Sequence, residues 1–161
     1  KSNMLKYIAL GLGLGGAFVL LISAKRKPRL ERNGKGVARF LMNLGYSKSN
    51  ASGIAGNLYT ESKYDPQALG DNGTSFGLAQ WHRWDALKSW CNERNLDINS
   101  FEVQLRFIDW ELNNTEKRAK RELLSTNTPS DSAFAFAKYY ERPQRIVEER
   151  MNKAKEIYNS I

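Results

Sequence analysis

A chain of 161 residues has room for one compact domain plus an extension but not for two full domains, and its apolar content is ordinary for a globular protein. The net charge of +8 resembles a nucleic-acid footprint until it is located: residues 1–35 hold eight Lys and Arg against Glu31 alone, +7 of the total, which favours a membrane surface and argues against nucleic acid as a partner. Cys91 is the only cysteine, so an intrachain disulfide is excluded and stability must come from packing.

No charge occurs from Tyr7 to Ala24, and with Met4 and Leu5 the apolar run approaches the ~20 residues that cross a bilayer. Residues 1–24 are predicted to be a transmembrane anchor, with residues 4–24 in the lipid. The block Lys25-Arg26-Lys27 reads as a stop-transfer flank, and no clear small-x-small cleavage site precedes it. Gly11 and Gly15 form a G-x-x-x-G pair, a weak signal for a second helix. Residues 25–35, with Pro28 and Gly34, are a basic linker that can lie near anionic headgroups, and residues 36–161 form the globular domain.

That domain opens with Val37, Phe40, Leu41 and Leu44 at helical spacing, closed by Gly45 as a C-cap. Ser47 or Ser49 caps the next helix, in which Ala51, Ile54, Ala55 and Leu58 recur at i, i+3, i+4, i+7. Gly53 and Gly56 within it predict close approach of another backbone, because glycine costs ~1 kcal/mol in a helix interior relative to alanine. Residues 67–80, with Gly70, Asp71-Asn72-Gly73 and Gly77, read as turns or a small β-hairpin. Trp84, Leu87, Trp90 and Cys91 mark a helix. Phe101, Leu105, Ile108 and Leu112 form one stripe and Val103, Phe107 and Trp110 a second, so their helix is expected to be the central core helix. A charged stretch from Glu116 to Glu122 precedes a helix capped by Ser130, carrying Phe134, Phe136, Tyr139 and Tyr140 and ended by Arg142-Pro143. Pro143 is expected to start the last helix, with Ile146, Val147, Met151, Ala154, Ile157 and Tyr158 at helical spacing.

Glu61 is the candidate working residue. It falls three residues after Leu58 and seven after Ile54, so its carboxyl extends the apolar stripe. Asp65-Pro66 disfavours helix, which puts the helix end near Ser62 or Lys63 and Glu61 in the last turn, at the negative end of the dipole. Partial burial and the dipole both disfavour the ionised form. The expectation is an unpaired carboxyl with a raised pKa, as a general acid requires.

Gly56-Asn57-Leu58-Tyr59-Thr60-Glu61-Ser62 with Asp65-Pro66, then Gly77-Leu78-Ala79-Gln80-Trp81, then Tyr140-Glu141-Arg142-Pro143, together resemble the phage tail lysozyme family. The segment Gln104–Asn114 also fits, so the resemblance covers about residues 35–160, and its Glu-Ser and Gly-Leu-x-Gln pieces are similar to goose-type lysozymes and lytic transglycosylases. The resemblance implies a mainly α, lysozyme-like α+β fold: a helical domain with a small β-hairpin or loop wall. It implies Glu61 as the catalytic acid and a cleft lined by Ser62, Gly77, Gln80, Trp81 and Tyr140. The substrate implied is peptidoglycan glycan strands, without cofactor or metal.

Cleaving a β-1,4 glycosidic bond requires protonating a poor leaving-group oxygen. A two-acid hydrolase also needs a second carboxylate, for which Asp71 is the first candidate and Asp65 or Asp85 less so. A lytic transglycosylase avoids that need because the sugar's own 6-hydroxyl attacks. Single His82 lacks the neighbours of a metal or triad site, and Cys91 on an apolar face reads as core. Glu141-Arg142 reads equally as a cleft constellation or a helix-end ion pair. The leading expectation is a membrane-anchored, virion-associated enzyme that opens the wall locally during infection, in a virion internal membrane or a host cell membrane. Other virion membrane or capsid proteins are its further partners. The rival is a structural membrane protein whose degenerate domain binds glycan or capsid without cutting.

Overall fold

The computed structural model describes residues 29–161. The expected anchor at residues 4–24 lies outside them, and among the described residues no helix is long and apolar enough to cross a membrane.

The architecture is mainly helical with one small antiparallel sheet. Helix α1, Gly34–Asn43, starts at Asn33, whose side-chain oxygen accepts from the Gly36 amide at 2.9 Å. It gives way at Gly45, which turns the chain with φ +100°. Helix α2, Lys48–Ser62, is capped by Ser47 and closes on Lys63 in a left-handed conformation, so Glu61 does stand in the last turn. Leu30 packs on the core, and Glu31 lies against Gly36 so closely that no side chain fits there. A chain beginning at Arg29 should therefore fold and melt as the full-length protein does. Loss of cooperative melting in that truncation would show that the first 28 residues are needed by the domain.

The central helix is α2, and this corrects the expectation for the Phe101 helix. Every residue from Ser49 to Leu58 is buried, and α2 packs against α1, α6 (Pro129–Phe136) and α7 (Glu149–Ser160). Its buried polar side chains are small and, the Ser52 hydroxyl excepted, bonded to partners among the described residues. Asn50 donates to the Leu123 carbonyl at 2.8 Å, and Asn57 to the Gly53 and Ala133 carbonyls at 2.9 and 3.0 Å. Such residues look like surface in a sequence and behave as core once paired. The two glycines serve as expected: a Cβ on Gly53 would lie 2.5 Å from Ser132, and one on Gly56 2.5 Å from the Arg150 carbonyl, so α6 and α7 rest directly on the backbone of α2.

The segment after α2 forms strands β1 (Leu69–Gly70), β2 (Ser75–Phe76) and β3 (Trp81–His82), with a 3₁₀ turn over Asp71–Gly73. They pair antiparallel in that order, Leu69 opposite Phe76 and Phe76 opposite Trp81. Helix α3, Asp85–Glu93, buries Leu87, Trp90 and Cys91 against Phe76 and Phe107. Helix α4, Phe101–Asn114, buries one face only and leaves Trp110 and Glu111 half exposed. The charged stretch is itself a helix, α5 (Lys117–Leu124), since Ala119 and Leu123 supply a narrow buried edge.

Two further boundaries differ from the expectation. Thr128, not Ser130, caps α6, because Pro129 occupies the first turn, where a missing amide costs nothing. Beyond Phe136 the chain widens into a π-helical turn over Ala137–Glu141 that Arg142 ends in a left-handed conformation. Helix α7 begins only at Glu149 rather than at Pro143, because residues 143–148 carry the chain from the cleft edge to the face of α2.

Candidate active site

The last turn of α2, the sheet, the exposed side of α4 and the π-helical turn enclose a cleft of about 430 Å³. Five of the seven site residues expected from sequence line it: Glu61, Asp71, Gln80, Trp81 and Tyr140. Ser62 and Gly77 do not, and this corrects their role. The Ser62 hydroxyl is buried and donates to the Leu58 carbonyl at 3.1 Å and the Leu78 carbonyl at 2.9 Å, tying the helix end to the wall. Gly77, with φ +78°, leaves the space where a Cβ would come within 2.6 Å of Gln104 Oε1.

Gln80 is half-buried, and its amide is committed to the loop: Nε2 donates to the Gly77 carbonyl at 3.0 Å and the Ala68 carbonyl at 3.2 Å. Gln80→Ala removes both bonds, and the expected cost is about 1–2 kcal/mol of stability. Turnover should fall at least tenfold, because the wall loses its shape beside the substrate. Activity that drops only in step with the unfolded fraction, measured by melting curves alongside turnover, would make Gln80 a brace and nothing more.

Trp81 and Tyr140 are joined by a residue that the sequence reading did not single out. Glu111 Oε2 accepts from Trp81 Nε1 at 2.9 Å and from the Tyr140 hydroxyl, and Trp81 Nε1 also lies 3.2 Å from that hydroxyl. Burial pushes the Glu111 carboxyl above the usual range, and the two donated bonds oppose it. Burial and the neighbouring carboxylates hold the Tyr140 hydroxyl protonated. The aromatic side of the cleft is thus held in one geometry.

Glu61 is not the unpaired carboxyl expected from sequence. Its Oε1 is 2.6 Å from an Arg150 guanidinium nitrogen, with side chains only 17% and 5% exposed. Arg150 Nη1 donates to Asn57 Oδ1 at 2.9 Å, so the polar core of α2 fixes this cation beside the helix end. Among the described residues its Nε is buried without a partner. Glu141, at the end of the π-helical turn, lines the same cleft. Burial first, then the charge of Glu61, pushes Glu141 well above the carboxylate range, with Arg150 opposing. Glu141 Oε1 too is buried with no hydrogen-bond partner among the described residues. Arg142 pairs with Glu116 across the rim, so Glu141-Arg142 belongs to the cleft and is not an ion pair of its own.

The other carboxylates differ in placement. Asp71 is exposed at the cleft mouth with φ +48°, and its Oδ2 accepts from the Ser75 hydroxyl at 2.6 Å. Asp65 accepts from the Gln67 amide outside the cleft, and Asp85 is exposed at the start of α3. His82 edges the cleft. Cys91 is buried, and burial raises its thiol pKa, which keeps it inert. Among the described residues no three His, Cys, Asp or Glu are grouped to hold a metal ion. What the cleft offers is a set of half-buried carboxyls beside one buried guanidinium and an aromatic wall, a setting suited to proton transfer.

The chain is similar to Morphogenesis protein 1 of Bacillus phage B103, 31% identical over 123 residues, covering 69% of this chain and 34% of that protein. It therefore spans about a third of that relative's length. The family model of the phage tail lysozyme matches residues 32–161. That match runs from the cap of α1 through every element of the cleft, and the chain belongs to the phage tail lysozyme family.

Proposed function

We propose that this chain cleaves the β-1,4 glycosidic bonds of peptidoglycan glycan strands, with Glu61 as general acid. The observation that carries the reading is the placement of Glu61: the last turn of α2 presents its half-buried carboxyl to a cleft walled by Trp81 and Tyr140. Aromatic faces suit the apolar faces of pyranose rings, and the carboxyls and rim polar groups suit their hydroxyls. Glu61 delivers its proton to the glycosidic oxygen as the bond to the anomeric carbon breaks and an oxocarbenium-like centre forms. The attacking oxygen then closes the step. If it comes from water, a carboxylate must take up its proton, and Asp71 at the mouth is the nearest candidate in kind; if it is the sugar's own 6-hydroxyl, a 1,6-anhydro end results.

Zymography on purified peptidoglycan tests the cleavage, and mass spectrometry of the fragments tells anhydro ends from reducing ends. A clear absence of lysis by folded protein would leave the domain a glycan-binding module. Location is part of the same proposal. The uncharged run from Tyr7 to Ala24 with its basic flank supports a membrane anchor, and the name of the Bacillus phage B103 relative supports a virion-associated setting. Such an anchor would confine cutting to the wall nearest the particle. Co-flotation of the full-length chain, but not of one beginning at Arg29, with anionic vesicles is the expected outcome; equal behaviour of the two would remove the anchor.

A further inference from the structure

We propose that Glu141 is a positioning residue that takes Arg150 over from Glu61, so that Glu61, Glu141 and Arg150 act as one cluster carrying a single proton. The inference rests on Glu61 being the acid and adds how that acid comes to hold its proton while an arginine sits against it.

Glu61 and Glu141 both line the cleft, the Arg150 guanidinium pairs with Glu61 behind it and its charge also acts on Glu141, and only one carboxyl can be ionised there without leaving a negative charge uncompensated. In the structure Arg150 pairs with Glu61, and burial together with the Glu61 charge favours the protonated form of Glu141. The same cluster contains two unsatisfied buried groups of opposite kind: the Arg150 Nε–H donor and the Glu141 Oε1 acceptor. A buried orphan donor and a buried orphan acceptor are each costly, and a movement that joins them relieves both. That movement defines a second arrangement, in which the Arg150 guanidinium pairs with an ionised Glu141 and the proton resides on Glu61, free of its ion pair and facing the sugar. Net charge is the same in both.

The proton balance closes over a turnover. The proton passes from Glu141 to Glu61, directly or through one water, and then to the leaving oxygen as the glycosidic bond breaks. The ionised Glu61 recovers Arg150, and Glu141 is reprotonated by the proton that the attacking hydroxyl gives up, or that Asp71 takes from an attacking water and passes on. Asn57 anchors the other side of the guanidinium throughout, so the cation pivots without leaving the core.

Other charged groups around the cluster are already engaged or lie at the surface. Glu111, from α4, is held by Trp81 and Tyr140. Glu116 and Arg142 neutralise each other at the rim. Asp71 and His82 face the open mouth from the sheet side, where solvent screens them.

The test compares Glu141→Gln and Glu141→Asp with wild type in the full chain, reading kcat, KM, the pH profile and melting. Glu141→Gln cannot take up the negative charge, so Arg150 stays with Glu61. We expect kcat to fall at least tenfold with KM nearly unchanged, and the basic limb of the profile to move to lower pH. Glu141→Asp keeps an ionisable group and should hold the limb near its wild-type position. A Glu141→Gln profile that superimposes on wild type, or a limb displaced equally in both variants, overturns the proposal. If Glu141→Gln does not fold, the Asp variant alone decides, since a shifted limb in it would contradict the cluster. Glu61→Gln separates the two readings: an active Glu61→Gln protein removes the acid assignment itself. An inactive one beside an unaffected Glu141→Gln removes only the shared proton.

Discussion

Glu61→Gln is expected to leave a folded chain with almost no wall-degrading activity. The amide keeps the length and hydrogen-bonding capacity of the side chain and has no proton to give to the leaving oxygen. General acid catalysis contributes ~10²–10⁴-fold, and a sugar oxygen is a poor leaving group, so the loss should sit at the upper end. The ion pair with Arg150 changes what sequence alone implied for stability, since loss of an unpaired carboxyl costs nothing whereas this one faces a buried cation. The cost is limited because the amide oxygen still accepts from the guanidinium and Glu141 stands ready to compensate the charge. A decrease of about 1–2 kcal/mol is expected. Zymograms and melting curves of the same preparations check both halves. Activity within about threefold of wild type, from equally folded protein, would rule out Glu61 as the acid, because the acid's contribution is far larger than that.

How much of this site was legible in the chain can be argued residue by residue. The end of α2 was, because Asp65-Pro66 is a local stop signal and Glu61 keeps register with Leu58 and Ile54. So were the close approaches at Gly53 and Gly56, where contact with a neighbouring backbone offsets the cost of two glycines in a helix. Arg150 was not. It stands four residues before Ala154 and seven before Ile157, a cation inside the apolar stripe of the last helix. Periodicity counts it as an interruption, yet it is the position where a charged residue must be buried. Its carboxylate partner is 89 positions away in sequence, beyond any local rule.

The same limit explains the misplaced centre of the fold. Helix α4 looks more apolar than α2, yet α2 is enclosed on all sides, because Ser, Asn and Gly along it meet partners supplied by α6, α7 and the turn after α5. Hydrophobic pattern reports transfer out of water and is blind to polar groups that are satisfied by distant chain. The short sheet was legible as turns, but the bond network of Trp81, Glu111 and Tyr140 joins three separate segments and could not be read from any one of them.

Gln104→Leu is expected to be the most destabilising single replacement near the cleft. Gln104 is fully buried on α4 between Phe101 and Ile108, a polar residue in an apolar stripe. Its Oε1 accepts from the Leu78 amide at 2.9 Å, and its Nε2 donates to the Pro66 and Ile98 carbonyls at 2.7 Å each. One side chain therefore satisfies backbone groups from both ends of the loop wall and from the connection into α4. Leucine fills nearly the same volume and satisfies none of them, and each buried orphan costs ~1–3 kcal/mol, reduced where the loop can move toward water. A net loss of about 3 kcal/mol follows, lowering Tm by roughly 10 °C for a domain of this size. Activity should fall further than stability explains, because Leu78 also accepts the Ser62 hydroxyl beside Glu61, so a displaced Leu78 unsettles the end of α2. Calorimetry together with turnover measured well below the new Tm checks both effects. A melting temperature within about 2 °C of wild type would mean that the three bonds contribute no more than an ordinary surface residue, and the account of the wall would have to be abandoned.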